Sequence, residues 1–130
     1  MTRRSIHVEG YSHTNPIPVA SRVGNFIASS VISAIDPATG ETPASFEAQC
    51  AIVFANMRAI LADAGATPED VVKVSFYMHD LGGRGVINRF WTEMFPDEGS
   101  RPARHSQQQE LMPPRLISAD FLAVIESGER

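Results

Sequence analysis

Leu116-Ile117-Ser118-Ala119-Asp120-Phe121-Leu122-Ala123-Val124-Ile125-Glu126 is the stretch that decides the fold. Successive side chains of a strand point to opposite faces. Read that way, Ile117, Ala119, Phe121, Ala123 and Ile125 form one apolar side, predicted to pack under helices. Ser118, Asp120, Leu122 and Val124 form the other side, half polar and half apolar. In a monomer this second face would leave an apolar patch on an uncovered sheet, and such patches mark association. The segment therefore predicts a sheet with helices on one face and an oligomer on the other.

Working outward, Ala103–Leu111 reads as the preceding strand, with Pro102 suited to a strand start. Upstream, Val86, Ile87, Phe90, Trp91 and Met94 recur at helical spacing between a Gly82-Gly83 break and Pro96. Val71–Met78 is rich in β-branched and aromatic residues and reads as a strand. Thr67-Pro68-Glu69-Asp70 makes one short capped turn before it. A longer helix carries the stripe Phe46, Cys50, Val53, Met57 and Leu61. Thr42 suits its N-cap, Pro43 its first position and Gly65 its end. Val19–Arg22 and Phe26–Ser33 form a hairpin about Gly24-Asn25, and Ser5–Glu9 is a short first strand. The order is β-β-β-α-β-α-β-β. It predicts an α+β fold, one sheet with both helices on one face, in a single domain over residues 1–130.

The 130 residues are 43% hydrophobic and 20% charged, an ordinary globular balance. The net charge of −4 argues against nucleic acid as a partner, which requires clustered Lys and Arg. Cys50 is the one cysteine, so no intrachain disulfide can form and a reducing compartment fits. The start has no apolar run behind its arginines, and no stretch reaches membrane-span length. A cytoplasmic protein without membrane partners is the expectation. The four histidines show no metal-ligand spacing, and no metal or other cofactor is expected.

Phosphate-cradling glycine loops and a serine-nucleophile elbow are absent from the sequence. Cys50 lies in an apolar helical stripe, where cysteine is normally inert packing. Arg104, in Arg101-Pro102-Ala103-Arg104-His105-Ser106, is by spacing alone either a surface or salt-bridged arginine or a ligand contact. His105 alternates to the opposite face, so the two should not act together. Gln107, Gln108 and Gln109 are a polar ladder at an interface or a solvated edge.

Taken in order, several stretches resemble the RidA/YjgF reactive-intermediate deaminases, formerly the endoribonuclease L-PSP family. They are Val23-Gly24-Asn25-Phe26-Ile27-Ala28-Ser29-Ser30, Ile35-Asp36-Pro37-Ala38-Thr39-Gly40-Glu41, Glu47-Ala48-Gln49 and the run from Ala62 to Val74. His79-Asp80-Leu81, Val86-Ile87-Asn88, Met94-Phe95-Pro96 and Arg101-Pro102-Ala103-Arg104 complete the series. The resemblance covers Asn15 to Val124. It implies a homotrimer whose three sheets close a central barrel, with clefts between subunits. It also implies that Arg104 grips the carboxylate of a small substrate, with Ser30 and Asn88 shaping the pocket.

The chain departs from the family pattern where it bears on chemistry. Ser118 stands at the position of the glutamate that deaminating members carry, and a serine is a poor acid or base near neutral pH. Asp120, two residues on, is an acid on the same strand face. Ile17 replaces a tyrosine, Val31 a glycine, and Ser106 a frequent cysteine. The resemblance therefore implies two readings. One is a divergent imine or enamine deaminase in which Ser118 or Asp120 places the water. The other is a non-catalytic trimer that binds a metabolite carboxylate.

Overall fold

The computed structural model describes residues 2–126. Its elements follow the expected order: β1 (Arg4–Ile6), β2 (Ala20–Val23), β3 (Phe26–Ser29), α1 (Phe46–Asp63), β4 (Val71–Met78), α2 (Arg84–Met94), β5 (Ala103–Gln108) and β6 (Ile117–Val124). Single 3-10 turns, Pro68–Asp70 and Leu81–Gly83, lead into β4 and α2. The six strands form one sheet in the order β1-β2-β3-β6-β4-β5. The last strand enters between β3 and β4 and runs antiparallel to both. Among the described residues only β4 and β5 pair in parallel, joined by the α2 crossover.

The alternation in β6 falls as its sequence requires. Ile117, Ala119, Phe121, Ala123 and Ile125 are all fully buried or nearly so. They meet Val74, Phe76 and Met78 of β4 on the helix side. Cys50, Val53, Met57 and Leu61 of α1 close over them, with Ile87 and Trp91 of α2. An aromatic row crosses this layer: Phe90 and Phe76 both stack on Phe54, and Trp91 meets Phe76 edge-on at 6.2 Å. Burial raises the Cys50 thiol to about 12, so it is a packing residue.

On the open face, Phe26 and Val124 are cross-strand partners and both remain about half exposed, with Leu122 beside them. The other end of that face is polar, carrying Ser75, Tyr77, Ser118 and Asp120.

Several boundaries move from their expected places, each for a local reason. The N-cap of α1 is Ser45, not Thr42, and the helix starts at Phe46 rather than Pro43. The Ser45 hydroxyl accepts from the Ala48 amide at 3.1 Å, which satisfies a first-turn donor. The Pro43 carbonyl is instead taken by the Gln49 amide at 2.8 Å. β3 stops at Ser29 rather than Ser33. Ala28 pairs with Leu122, yet Ile32 pairs with Ala119, so one extra residue is accommodated on the β3 side. The Ser29 hydroxyl accepts from the Phe121 amide at 2.9 Å, replacing the ladder bond lost at that slip. β1 is Arg4–Ile6 instead of Ser5–Glu9, because its partner β2 begins only at Ala20. β5 ends at Gln108 instead of Leu111, where β4 also ends. Gly65 does close α1, at φ +83°.

Candidate functional site

Arg104 lies on β5 opposite Val74 of the parallel neighbour, which puts its side chain on the helix side of the sheet. There its guanidinium carbon sits 5.2 Å from the Trp91 ring centre and 5.9 Å from that of Phe76. A guanidinium over aromatic faces is held by the ring quadrupole. Partial burial lowers the Arg104 pKa, and the charge of Arg84 lowers it further. Among the described residues the only ion pair is Arg89 with Glu47 at 2.8 Å, so Arg104 has no carboxylate partner. The arginine is oriented and partly desolvated while its charge stays uncompensated. Such a group suits a carboxylate ligand.

Ser106, two residues on, shares the Arg104 face opposite Phe76. Asn88 is exposed on α2, one turn before Trp91 and one turn after Arg84. Arg104 and Ser106 therefore share the helix side of edge strand β5, and Asn88 lies one helical turn from the Trp91 on which Arg104 rests. His105 pairs with Ser75 and faces the opposite way, as its alternation requires.

Ser118 and Asp120 lie on the open face, on the far side of the sheet from Arg104. Asp120 pairs with Ser75, and Ser118 with Tyr77. The Tyr77 hydroxyl donates to Asp120 Oδ2 at 2.8 Å. Burial raises the Tyr77 pKa, and the hydrogen bond and charge of Asp120 add to it. Ser118 is almost wholly buried between its neighbours. Ser30 and Ile17 belong to a third segment. The Ser30 hydroxyl donates to the Pro18 carbonyl at 2.8 Å, which ties it to the approach to β2, while Ile17 is half exposed. Beside them His13 Nε2 donates to the Val31 carbonyl at 3.0 Å.

One chain thus does not bring the expected residues together. β4 separates β5 from β6, a spacing of about 10 Å, and Arg104 projects from the face opposite to Ser118 and Asp120. Sequence reading missed Tyr77, Arg84 and the second role of Trp91. Tyr77 has the parity of Ser75 on a mixed face, which was a usable signal. That it meets Asp120 depends on the β4–β6 register.

The endoribonuclease L-PSP family model matches residues 9–118. The chain belongs to this family. Its RidA/YjgF character is borne out by sequence and by fold. A RutC family protein of Pyrococcus abyssi is 38% identical over 103 residues, 78% of this chain and 80% of the relative. The 2-iminobutanoate/2-iminopropanoate deaminase of Escherichia coli is 30% identical over 104 residues, 78% of this chain and 81% of that enzyme. The solved YjgF gene product of E. coli has a TM-score of 0.85 at 27% identity, covering 95% of this chain and 99% of that one. In this RidA/YjgF chain the matched span includes Arg104, Asn88, Ser30, Ile17, Ser106 and Ser118, and ends before Asp120.

Among the described residues, no three His, Cys, Asp or Glu side chains converge as metal ligands, and no helix is long and apolar enough to cross a membrane.

Proposed function

We propose that this chain binds a small carboxylate, a 2-imino, enamine or keto acid, in clefts between copies of itself. In these clefts it hydrolyses the imine to a keto acid and ammonia. The observation that carries the reading is the Arg104 guanidinium, stacked on Trp91 and Phe76 and lacking any acidic partner among the described residues. Its separation from Ser118 and Asp120 supports a shared cleft, since an open face from one copy can meet the β5 edge of another. The half-apolar open face around Phe26, Leu122 and Val124 supports a homotrimer in which that face is covered.

In such a cleft Arg104 takes the carboxylate in a two-pronged, charge-assisted contact. Asn88 and Ser106 border it from the same copy, and Ser30 and Ile17 shape the opposite wall. Water adds to the imine carbon as a base takes its proton. That proton passes to the imine nitrogen to give the carbinolamine. The carbinolamine hydroxyl then yields its own proton through the same base to the amino group. As it does so, the C–O bond becomes the keto carbonyl and the C–N bond breaks to release ammonia. Asp120 is the group able to act as that base. Its carboxylate is oriented by Tyr77, and one oxygen remains beyond that hydrogen bond. Ser118 can hold the water but cannot ionise at neutral pH.

A second reading, a trimer that binds the metabolite without turning it over, is favoured by Ser118 itself. Ammonia release from freshly generated 2-iminopropionate separates the two. Wild type should accelerate hydrolysis. Arg104→Ala should lower kcat/KM by roughly 10- to 100-fold, the scale of a lost charged hydrogen bond. Activity only in Ser118→Glu would favour the binding trimer. Turnover untouched by Arg104→Ala would refute the site.

A further inference from the structure

The cluster around Arg104 holds more positive charge than one carboxylate requires. Arg84 opens α2, and at spacings of four and seven residues it shares a helix face with Asn88 and Trp91. Trp91 is the residue on which Arg104 rests. The 3-10 turn just before Arg84 packs against β5, the strand that carries Arg104. The two are near enough that, after burial, the Arg84 charge is the second cause lowering the Arg104 pKa.

Local physics does not favour an arginine at this position. The first turn of a helix prefers anions, because the helix dipole is positive there. The first turn of α2 has no acidic residue, and Gly83 offers no side-chain cap. Arg84 is held instead by one bond, its Nε donating to the Leu81 carbonyl at 2.9 Å. Its two terminal nitrogens have no partner among the described residues. The nearest acid in sequence, Asp80, has its carboxylate on the Gly82 amide at 2.8 Å. The Arg84 and Arg104 charges thus act on each other, and neither has an ion-pair partner among the described residues, an arrangement that costs energy until an anion enters.

We propose that Arg84 is a specificity-determining residue of the Arg104 site, selecting ligands that carry a second acid group. The ligand class is dicarboxylic 2-imino and 2-oxo acids rather than their monocarboxylic counterparts. The inference rests on the carboxylate-binding reading above and narrows it. Arg104, stacked and half-buried, takes the carboxylate next to the reacting carbon. Arg84, exposed at the rim, takes the distal one.

Calorimetric titration with 2-oxoglutarate and 2-oxopentanoate tests this directly. The two acids differ only in a terminal carboxylate or methyl group, and both are stable. Wild type should bind 2-oxoglutarate at least about tenfold more tightly, the scale of one charge-assisted hydrogen bond. Arg84→Gln should erase that preference and leave 2-oxopentanoate affinity within about twofold. Arg84→Lys should keep part of it, since the charge remains but the fork does not. Arg104→Gln should weaken both acids. Equal binding of the two acids, with both lost in Arg104→Gln, would overturn the role of Arg84 and leave the carboxylate site standing. A preference that survives Arg84→Gln would overturn it too. If neither acid binds wild type, the carboxylate reading fails and this inference fails with it.

Discussion

Tyr77 and Asp120 show how a side chain's chemistry depends on the strand beside it. Each is an ordinary residue of its strand, yet at 2.8 Å the phenol becomes the donor that orients the carboxylate. The Tyr77 pKa is raised, first by burial and then by Asp120. A raised tyrosine pKa means the folded state holds the phenol proton more tightly than the unfolded chain. The resulting stability is fully present below the unfolded value of about 10 and is lost as pH rises through the folded value. Ultraviolet titration of the phenols should therefore place Tyr77 above pH 10. In Asp120→Asn the contribution of the charge should vanish and the titration should move back down. A Tyr77 titration unchanged in that variant would show that Asp120 is not its partner in solution.

The helices and strands were largely legible, and their limits were not. The stripe of α1 and its closing Gly65 stand in the sequence at fixed spacings, so the helix could be placed. Its start could not, because Thr42, Pro43 and Ser45 all carry start signals within one turn. What decides is which oxygen reaches a first-turn amide, and Ser45 does. Ser45→Ala should destabilise the fold by about 1 kcal/mol, and Thr42→Ala by much less. Urea denaturation of the two variants compares them, and equal losses would argue against the Ser45 cap. The end of β3 was unreadable for a different reason. Its slip against β6 involves a residue 92 positions away in sequence, Phe121, whose amide is taken by Ser29.

At the scale of the whole molecule the open face is the feature that one chain leaves unfinished. Phe26, Leu122 and Val124 are each at least 40% exposed there. A carboxylate placed among them should cost little in a lone chain and much in an assembly that covers the face. If the face is covered in a trimer as proposed, light scattering should find wild type trimeric and Leu122→Glu monomeric, with circular dichroism showing the variant still folded. A monomeric wild type would leave the two halves of the site on opposite faces with nothing to join them, and would count against the shared cleft.

By itself the sequence determined the order of elements, the core face of β6, the inertness of Cys50 and the family. Each depends on local periodicity or on residue types at fixed spacing. Only the tertiary structure decided that Arg104 and Ser118 lie on opposite faces, that Tyr77 holds Asp120, and that Arg84 stands near Arg104. Those facts follow from which strands are neighbours and in what register. That is set by packing between segments far apart in the chain, and periodicity along one segment carries no record of it.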